Sequence, residues 1–150
     1  MIMGTERSRL ILWALVVLSL IAALLMAWQP INRELDATAM TVANQRIIER
    51  ANVYKQEWLL RGSPDEMAFD GQRLTFSPTG WVFPRQDDNI DCGRLLLWLY
   101  PDEKILNIAP MIHGENLSDG YMCYFDFYAH RSIKIILQNN RFTSSVIPST

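Results

Sequence analysis

The chain contains no G-x-S-x-G, no P-loop, no H-E-x-x-H and no C-x-x-C. The common signatures of acyl transfer, phosphate binding, zinc hydrolysis and thiol redox chemistry are therefore missing. Its seven glycines are scattered, most of them at expected turns, and form no phosphate-cradling loop. Lys and Arg number 14 against 16 Asp and Glu, and the net charge of −2 lacks the basic excess of a nucleic-acid binder. Only two cysteines and two histidines occur. Neither Cys92 nor Cys123 has a second thiolate at zinc-ligand spacing, and His113 and His130 stand at no recognisable ligand spacing. These gaps argue against an enzyme, and the sequence indicates no cofactor and no metal.

What is present is one long apolar run. Leu10 to Trp28 reads LILWALVVLSLIAALLMAW, with Ser19 as its single polar member and no acidic residue. As a helix it would extend about 28 Å, close to the hydrocarbon thickness of a bilayer. A cleaved signal peptide would have a shorter apolar core and a small residue where Leu25 stands in the exit Leu25-Met26-Ala27. A buried helix of a soluble domain would keep a polar stripe. The run is read as an uncleaved single-pass anchor in contact with membrane lipid. Arg7 and Arg9 precede it, while Arg33, Glu34 and Asp36 follow as a mixed set. The positive-inside rule then places residues 1–9 in the cytoplasm and the chain after the anchor outside.

The remaining chain is long enough for one small domain. Cys92 and Cys123 both lie beyond the anchor, and an even pair in an oxidising compartment predicts a disulfide. Two unpaired thiols are the alternative. Closing a loop of about 30 residues contributes on the order of 3–4 kcal/mol, which is large for so small a core.

From Ile31 to about Leu60, Ile31, Leu35, Ala39, Val42, Ala43, Ile47, Ala51, Tyr54 and Trp58 recur at threes and fours. This spacing marks a helix with one apolar stripe, which Gly62 and Pro64 should end. Its C-terminal half is expected to pack on its own domain. The half from Ile31 to Ala43, and Ile31, Leu35, Val42 and Ala43 in particular, is the candidate surface for partner helices. After Gly62 the texture is that of strands. Met67–Phe69 and Leu74–Phe76 flank Asp70-Gly71, a two-residue hairpin signal. Trp81–Phe83, Lys104–Ile108, Tyr121–Tyr128, Ser132–Gln138 and Arg141–Ile147 are further strands, the last two joined by Asn139-Asn140. Arg85–Asp91 reads as a polar loop and Pro110–Gly120 as another. Gly93–Tyr100 is too continuously apolar for periodicity to choose helix or strand.

The fold class is α+β: a transmembrane helix at 10–28, continuing into an amphipathic stalk and packing helix at 29–62, on a mostly antiparallel sheet domain at 63–150. The layout resembles that of type IV pilins and pseudopilins. Three lesser features have plain readings. Asp87, Asp88 and Asp91 form an acidic loop that is most simply a solvated turn, and Asn116-Leu117-Ser118 matches a glycosylation sequon. Tyr121, Tyr124, Phe125, Phe127 and Tyr128 put aromatics on both faces of one strand, which implies burial or a partner surface.

The segment Ala51-Asn52-x-Tyr54-Lys55-Gln56-Glu57-Trp58 stands before Gly62. The Asp70-Gly71 hairpin, Ser77-Pro78-Thr79-Gly80-Trp81-Val82, Cys92, Gly120-Tyr121-x-Cys123 and Asn139-Asn140-Arg141-Phe142 follow in order. With the anchor, this set resembles the MshF-like family of biogenesis proteins of the mannose-sensitive haemagglutinin (MSHA) type IV pilus, over nearly the whole chain. The resemblance implies a non-catalytic assembly factor of the bacterial inner membrane with a periplasmic domain. Its partners would be pilus assembly proteins and pilin subunits of the same system, with a homo-oligomer left open. It brings no catalytic residues. A prepilin would have glycine directly before an apolar helix with Glu at its fifth position, whereas Gly4 here precedes Thr5-Glu6-Arg7. The chain is therefore not expected to be processed as a prepilin. A minor pilin in the fibre, or an anchored periplasmic sensor with a tyrosine-lined pocket, are the alternative functions.

Overall fold

The computed structural model describes residues 3–128 and 131–148, with side chains left undescribed at 3–7, 28–36 and 128. The chain divides into two compact units, 1–37 and 38–150. Helix α1 spans Met3–Leu60, and Pro30 does not interrupt it. In the first unit, Ser8–Ala27 has a mean hydropathy of 2.9 and none of it is buried by the protein. It is long and apolar enough to cross a membrane. Ser19 Oγ donates to the carbonyl of Val16 at 2.8 Å, so the hydroxyl in the middle of this span is satisfied within the helix.

The second unit begins at Thr38, within α1. Met40, Ala43, Ile47, Ala51, Tyr54 and Trp58 of α1 are all buried in its core. They repeat at threes and fours along one helix face. The helix stops in a Schellman arrangement: Ser63 N–H donates to the Trp58 carbonyl at 2.9 Å and Gly62 N–H to the Leu59 carbonyl at 3.3 Å. Gly62 sits at φ +80°, a conformation glycine adopts without a Cβ penalty.

Strands β1 (Glu66–Phe69) and β2 (Gln72–Thr75) form the expected hairpin, with Asp70 and Gly71 both at positive φ. Trp81–Phe83, expected as a strand, makes only one bridge, Val82 to Phe76. Pro84 ends it before a ladder can form. Arg85–Asp91 is not wholly loop: β3 (Arg85–Gln86) and β4 (Asn89–Ile90) pair as a minimal hairpin. Gly93–Tyr100 resolves as a helix, α2 (Cys92–Leu99). Asp91 caps it, its Oδ1 accepting from the Arg94 N–H at 2.9 Å.

Lys104–Ile108 is a tight turn, with Ile105 bridged to Ile108 and Leu106 and Asn107 both at positive φ. Pro110–Gly120, expected as loop, holds a full strand, β5 (Met111–Leu117). It joins β6 (Gly120–Tyr128), β7 (Arg131–Gln138) and β8 (Arg141–Ile147) in a four-stranded antiparallel sheet of order β5-β6-β7-β8. The core face of this sheet carries Tyr121, Cys123, Phe125 and Phe127 from β6 and Ile133, Ile135 and Leu137 from β7. These residues, the α1 stripe and Leu95, Leu96, Trp98 and Leu99 of α2 form one apolar cluster. Cys92 and Cys123 are joined in a disulfide with Cα atoms 5.7 Å apart, tying α2 to β6. No cysteine among the described residues is free.

Candidate functional site

The face of α1 expected to meet partners is divided by the structure. Ala43 is 2% exposed and belongs to the core, so it is a packing residue of the domain and leaves the candidate surface. Val42, one residue earlier, points the other way and is 48% exposed. The side chains of Ile31 and Leu35 lie outside the described residues. The physical reason for the split is rotation of about 100° per helical residue, which no threes-and-fours stripe wider than one face can survive intact.

Further along α1 the helix forms one wall of a groove of about 620 Å³, closed by the β1–β2 hairpin and the end of α2. Arg46, Arg50, Tyr54, Phe69, Asp70, Tyr100 and Asp102 line it, among others. Arg50 is the hub. Its Nε donates to Tyr54 Oη at 2.6 Å, its Nη2 lies 3.3 Å from Asp70 Oδ2, and its guanidinium stands 5.5 Å from the Tyr54 ring centre. Tyr54 Oη in turn donates to the Trp98 carbonyl at 2.8 Å, and its ring meets Phe69 edge-on. Burial pushes the Tyr54 hydroxyl above the ordinary tyrosine range, and Arg50 opposes part of that shift. Arg46 pairs with Asp102 at 3.8 Å, an exposed pair of little energetic weight. The groove thus offers shape, aromatic surface and paired charges. Its titratable lining consists of carboxylates, tyrosines and arginines, with no serine, cysteine, histidine or lysine.

The other polar candidates have structural work. Asp91 caps α2 and pairs with Arg94 Nε at 3.4 Å. Asn116, the sequon asparagine, holds the β3–β4 hairpin: it accepts from Ile90 N–H at 2.9 Å and donates Nδ2 to the Asp88 carbonyl at 3.2 Å. Among the described residues, no group of three His, Cys, Asp or Glu side chains is arranged to hold a metal ion. His113 stands 3.6 Å from Asp126, and His130 lies outside the described residues.

Strand alternation separates the tyrosines expected to line a sensor pocket. Tyr121 is fully buried on the core face, donating to the Val82 carbonyl at 3.0 Å. Tyr124 is half-buried on the opposite face beneath Lys134, and the Tyr128 side chain lies outside the described residues. Tyr121 and Tyr124 therefore share no cavity.

Burial raises the Tyr121 hydroxyl far above its ordinary value of 10.0. The neutral form is the one that folds, so its contribution is complete below pH 10 and is lost progressively as pH rises from there toward the raised folded value. One such group removes about 1.4 kcal/mol per pH unit. Tyr121→Phe is expected to cost about 1–2 kcal/mol at neutral pH, because the buried Val82 carbonyl loses its donor. It should also flatten the alkaline fall, and urea unfolding across the alkaline range reads both effects.

No known family, no curated protein and no solved structure matches the chain.

Proposed function

We propose that this chain is a non-catalytic, single-pass assembly factor of an MSHA-type type IV pilus. It acts through protein contacts at the bacterial inner membrane, with residues 1–9 cytoplasmic and the 38–150 domain periplasmic. What carries this reading is the resemblance of Ala51-Asn52-x-Tyr54-Lys55-Gln56-Glu57-Trp58 and its ordered companions to the MshF-like family. The apolar span Ser8–Ala27 supports an anchored protein, and the disulfide suits an oxidising compartment such as the periplasm. The basic flank of Arg7 and Arg9 supports the orientation. Exposed Val42, the groove beside Arg50, and the undescribed side chains of Ile31 and Leu35 are where pilus proteins would bind.

The test measures major pilin in the sheared surface fraction against total cell pilin, with and without this gene. Surface pilin is expected to fall while total pilin holds, with recovery from a plasmid copy. Unchanged surface pilin would remove the assembly role, and recovery of the chain within sheared fibres would make it a minor pilin. Val42→Glu sharpens the test. At an exposed helix position the change costs stability within about 0.5 kcal/mol, so surface pilin should drop with the melting temperature unchanged. A protease-sensitive Val42→Glu product would instead assign that side chain to folding.

A further inference from the structure

The two edges of the four-stranded sheet are treated differently. In antiparallel pairing, residues alternate between those whose main-chain groups face the neighbouring strand and those whose groups face away. The two-residue connection between Leu117 and Gly120 makes that pair a hydrogen-bonded one, so the outward groups of β5 belong to Ile112, Gly114 and Asn116. By the same register the outward groups of β8 belong to Phe142, Ser144 and Val146. On β8 the edge is occupied by α1: Asn44 Nδ2 donates to the Ser144 carbonyl at 3.4 Å, and Asn44 Oδ1 accepts from Ser144 Oγ at 2.6 Å. On β5, among the described residues, no main-chain hydrogen bond beyond the ladder reaches Ile112, Gly114 or Asn116. The Asn116 side chain, on the core face, binds the β3–β4 hairpin.

Free edges normally carry a lysine, a proline or a bulge that prevents sheet-to-sheet pairing. Met111–Leu117 has none of these, and its register with β6 is unbroken. All of it but Leu117 is exposed, including Met111 at 67%.

We infer that β5 is a self-pairing edge: two copies of the chain join β5 to β5 antiparallel, about a two-fold axis through Gly114. The sequence of the strand selects this register. Centred on Gly114, Ile112 meets Asn116 of the second copy and Gly114 meets Gly114, so all three outward residues exchange main-chain bonds. On the solvent face His113 then stands opposite Glu115, and Met111 opposite Leu117, each pair occurring twice by symmetry. An imidazole can donate to a carboxylate whether or not it is protonated. Moving the axis to Glu115 would set two carboxylates against each other, and moving it to His113 would leave one outward residue unpaired. Charge and apolar complementarity therefore agree on one register.

The experiment uses the full chain in detergent micelles, with mass read by sedimentation velocity. The parent is expected to be a dimer in the micromolar range. Ile112→Pro deletes an outward N–H that serves no bond within the sheet, and Glu115→Lys places lysine opposite His113 of the second copy. Each should weaken association about tenfold or more, since an unfavourable opposed pair is repeated by the symmetry. The disulfide should be intact in both variants, and Glu115→Lys, on the solvent face, should leave the melting temperature unchanged. Differently tagged chains carrying His113→Cys and Glu115→Cys, purified together and oxidised, should form a cross-linked heterodimer. A parent that stays monomeric overturns the inference. So does a dimer untouched by both variants, which would place association in the apolar helix, and so does a dimer that the cysteine pair fails to cross-link.

Discussion

Replacing Cys92 with alanine is expected to cost the domain about 4 kcal/mol and to lower its melting temperature by roughly 15 °C. The bridge closes a loop of sequence separation 31. Removing it returns that loop's entropy to the unfolded chain, which accounts for most of the loss. A small domain is stable by only about 5–15 kcal/mol, so the variant would retain a thin margin. Position matters as well as loop length. Cys92 opens α2, and Cys123 is wholly buried at the centre of β6, so the bond fixes a helix whose own eight residues could not persist alone. Alanine at 92 leaves Cys123 as a buried thiol, an apolar group that adds no unsatisfied charge. Thermal unfolding of parent and variant, each with and without reductant, separates the effects. Reductant should lower the parent to about the variant's midpoint and leave the variant unmoved. Equal midpoints for the two oxidised proteins would show that the bridge carries no stability.

The features legible in the sequence are those governed by local pattern. The apolar run from Leu10 to Trp28 is visible because hydrophobic length alone defines it. The Asp70-Gly71 hairpin and the Gly62 helix end are visible because positive φ selects their residues. The pairing of Cys92 with Cys123 follows from there being two cysteines beyond the anchor.

What escaped is governed by position in the tertiary fold. Strand β5 lacks the apolar alternation of a half-buried strand because its core-facing positions are Ile112, Gly114 and Asn116. Position 114 must be glycine: a Cβ there would lie 2.6 Å from Cys92 Sγ. A strand shaped by a disulfide reads as a loop. Met40 is absent from the expected stripe for a related reason: with Ala43 it faces a core assembled by residues far along the chain. The groove around Arg50 is likewise invisible to pattern, since it joins α1 to a hairpin and a second helix. The open edge of β5 had a sequence trace, the absence of lysine, proline and bulge. It could be read only once the strand itself was known.

Gly80→Ala should be among the more damaging single-methyl changes in the domain, costing about 2–5 kcal/mol. Two separate terms add. Gly80 sits at φ +82°, where an L side chain is strained by about 1–2 kcal/mol. In addition, its added Cβ would lie 2.2 Å from Cε3 and 2.5 Å from Cζ3 of Trp58, well inside contact distance. The indole cannot step aside freely, because Trp58 Nε1 donates to the Pro64 carbonyl at 2.8 Å and the ring stacks on Phe76. Relief therefore requires moving the Ser77–Gly80 turn, an overpacking cost of about 1–3 kcal/mol. That turn is not free either. The next residue, Trp81, stacks on Phe142, donates Nε1 to the Asn140 carbonyl at 3.1 Å and lies under Lys55 Nζ at 4.0 Å. A shift at Gly80 thus loosens the seam between α1 and the β7–β8 end of the sheet. Gly71→Ala supplies the control, because Gly71 has φ +74° and nothing within 4 Å of an added Cβ. It should lose the backbone term alone, about 1–2 kcal/mol. Chemical denaturation of both variants isolates the clash as the difference between them. Equal losses would mean that Trp58 yields to the methyl and that this seam is softer than its hydrogen bonds imply.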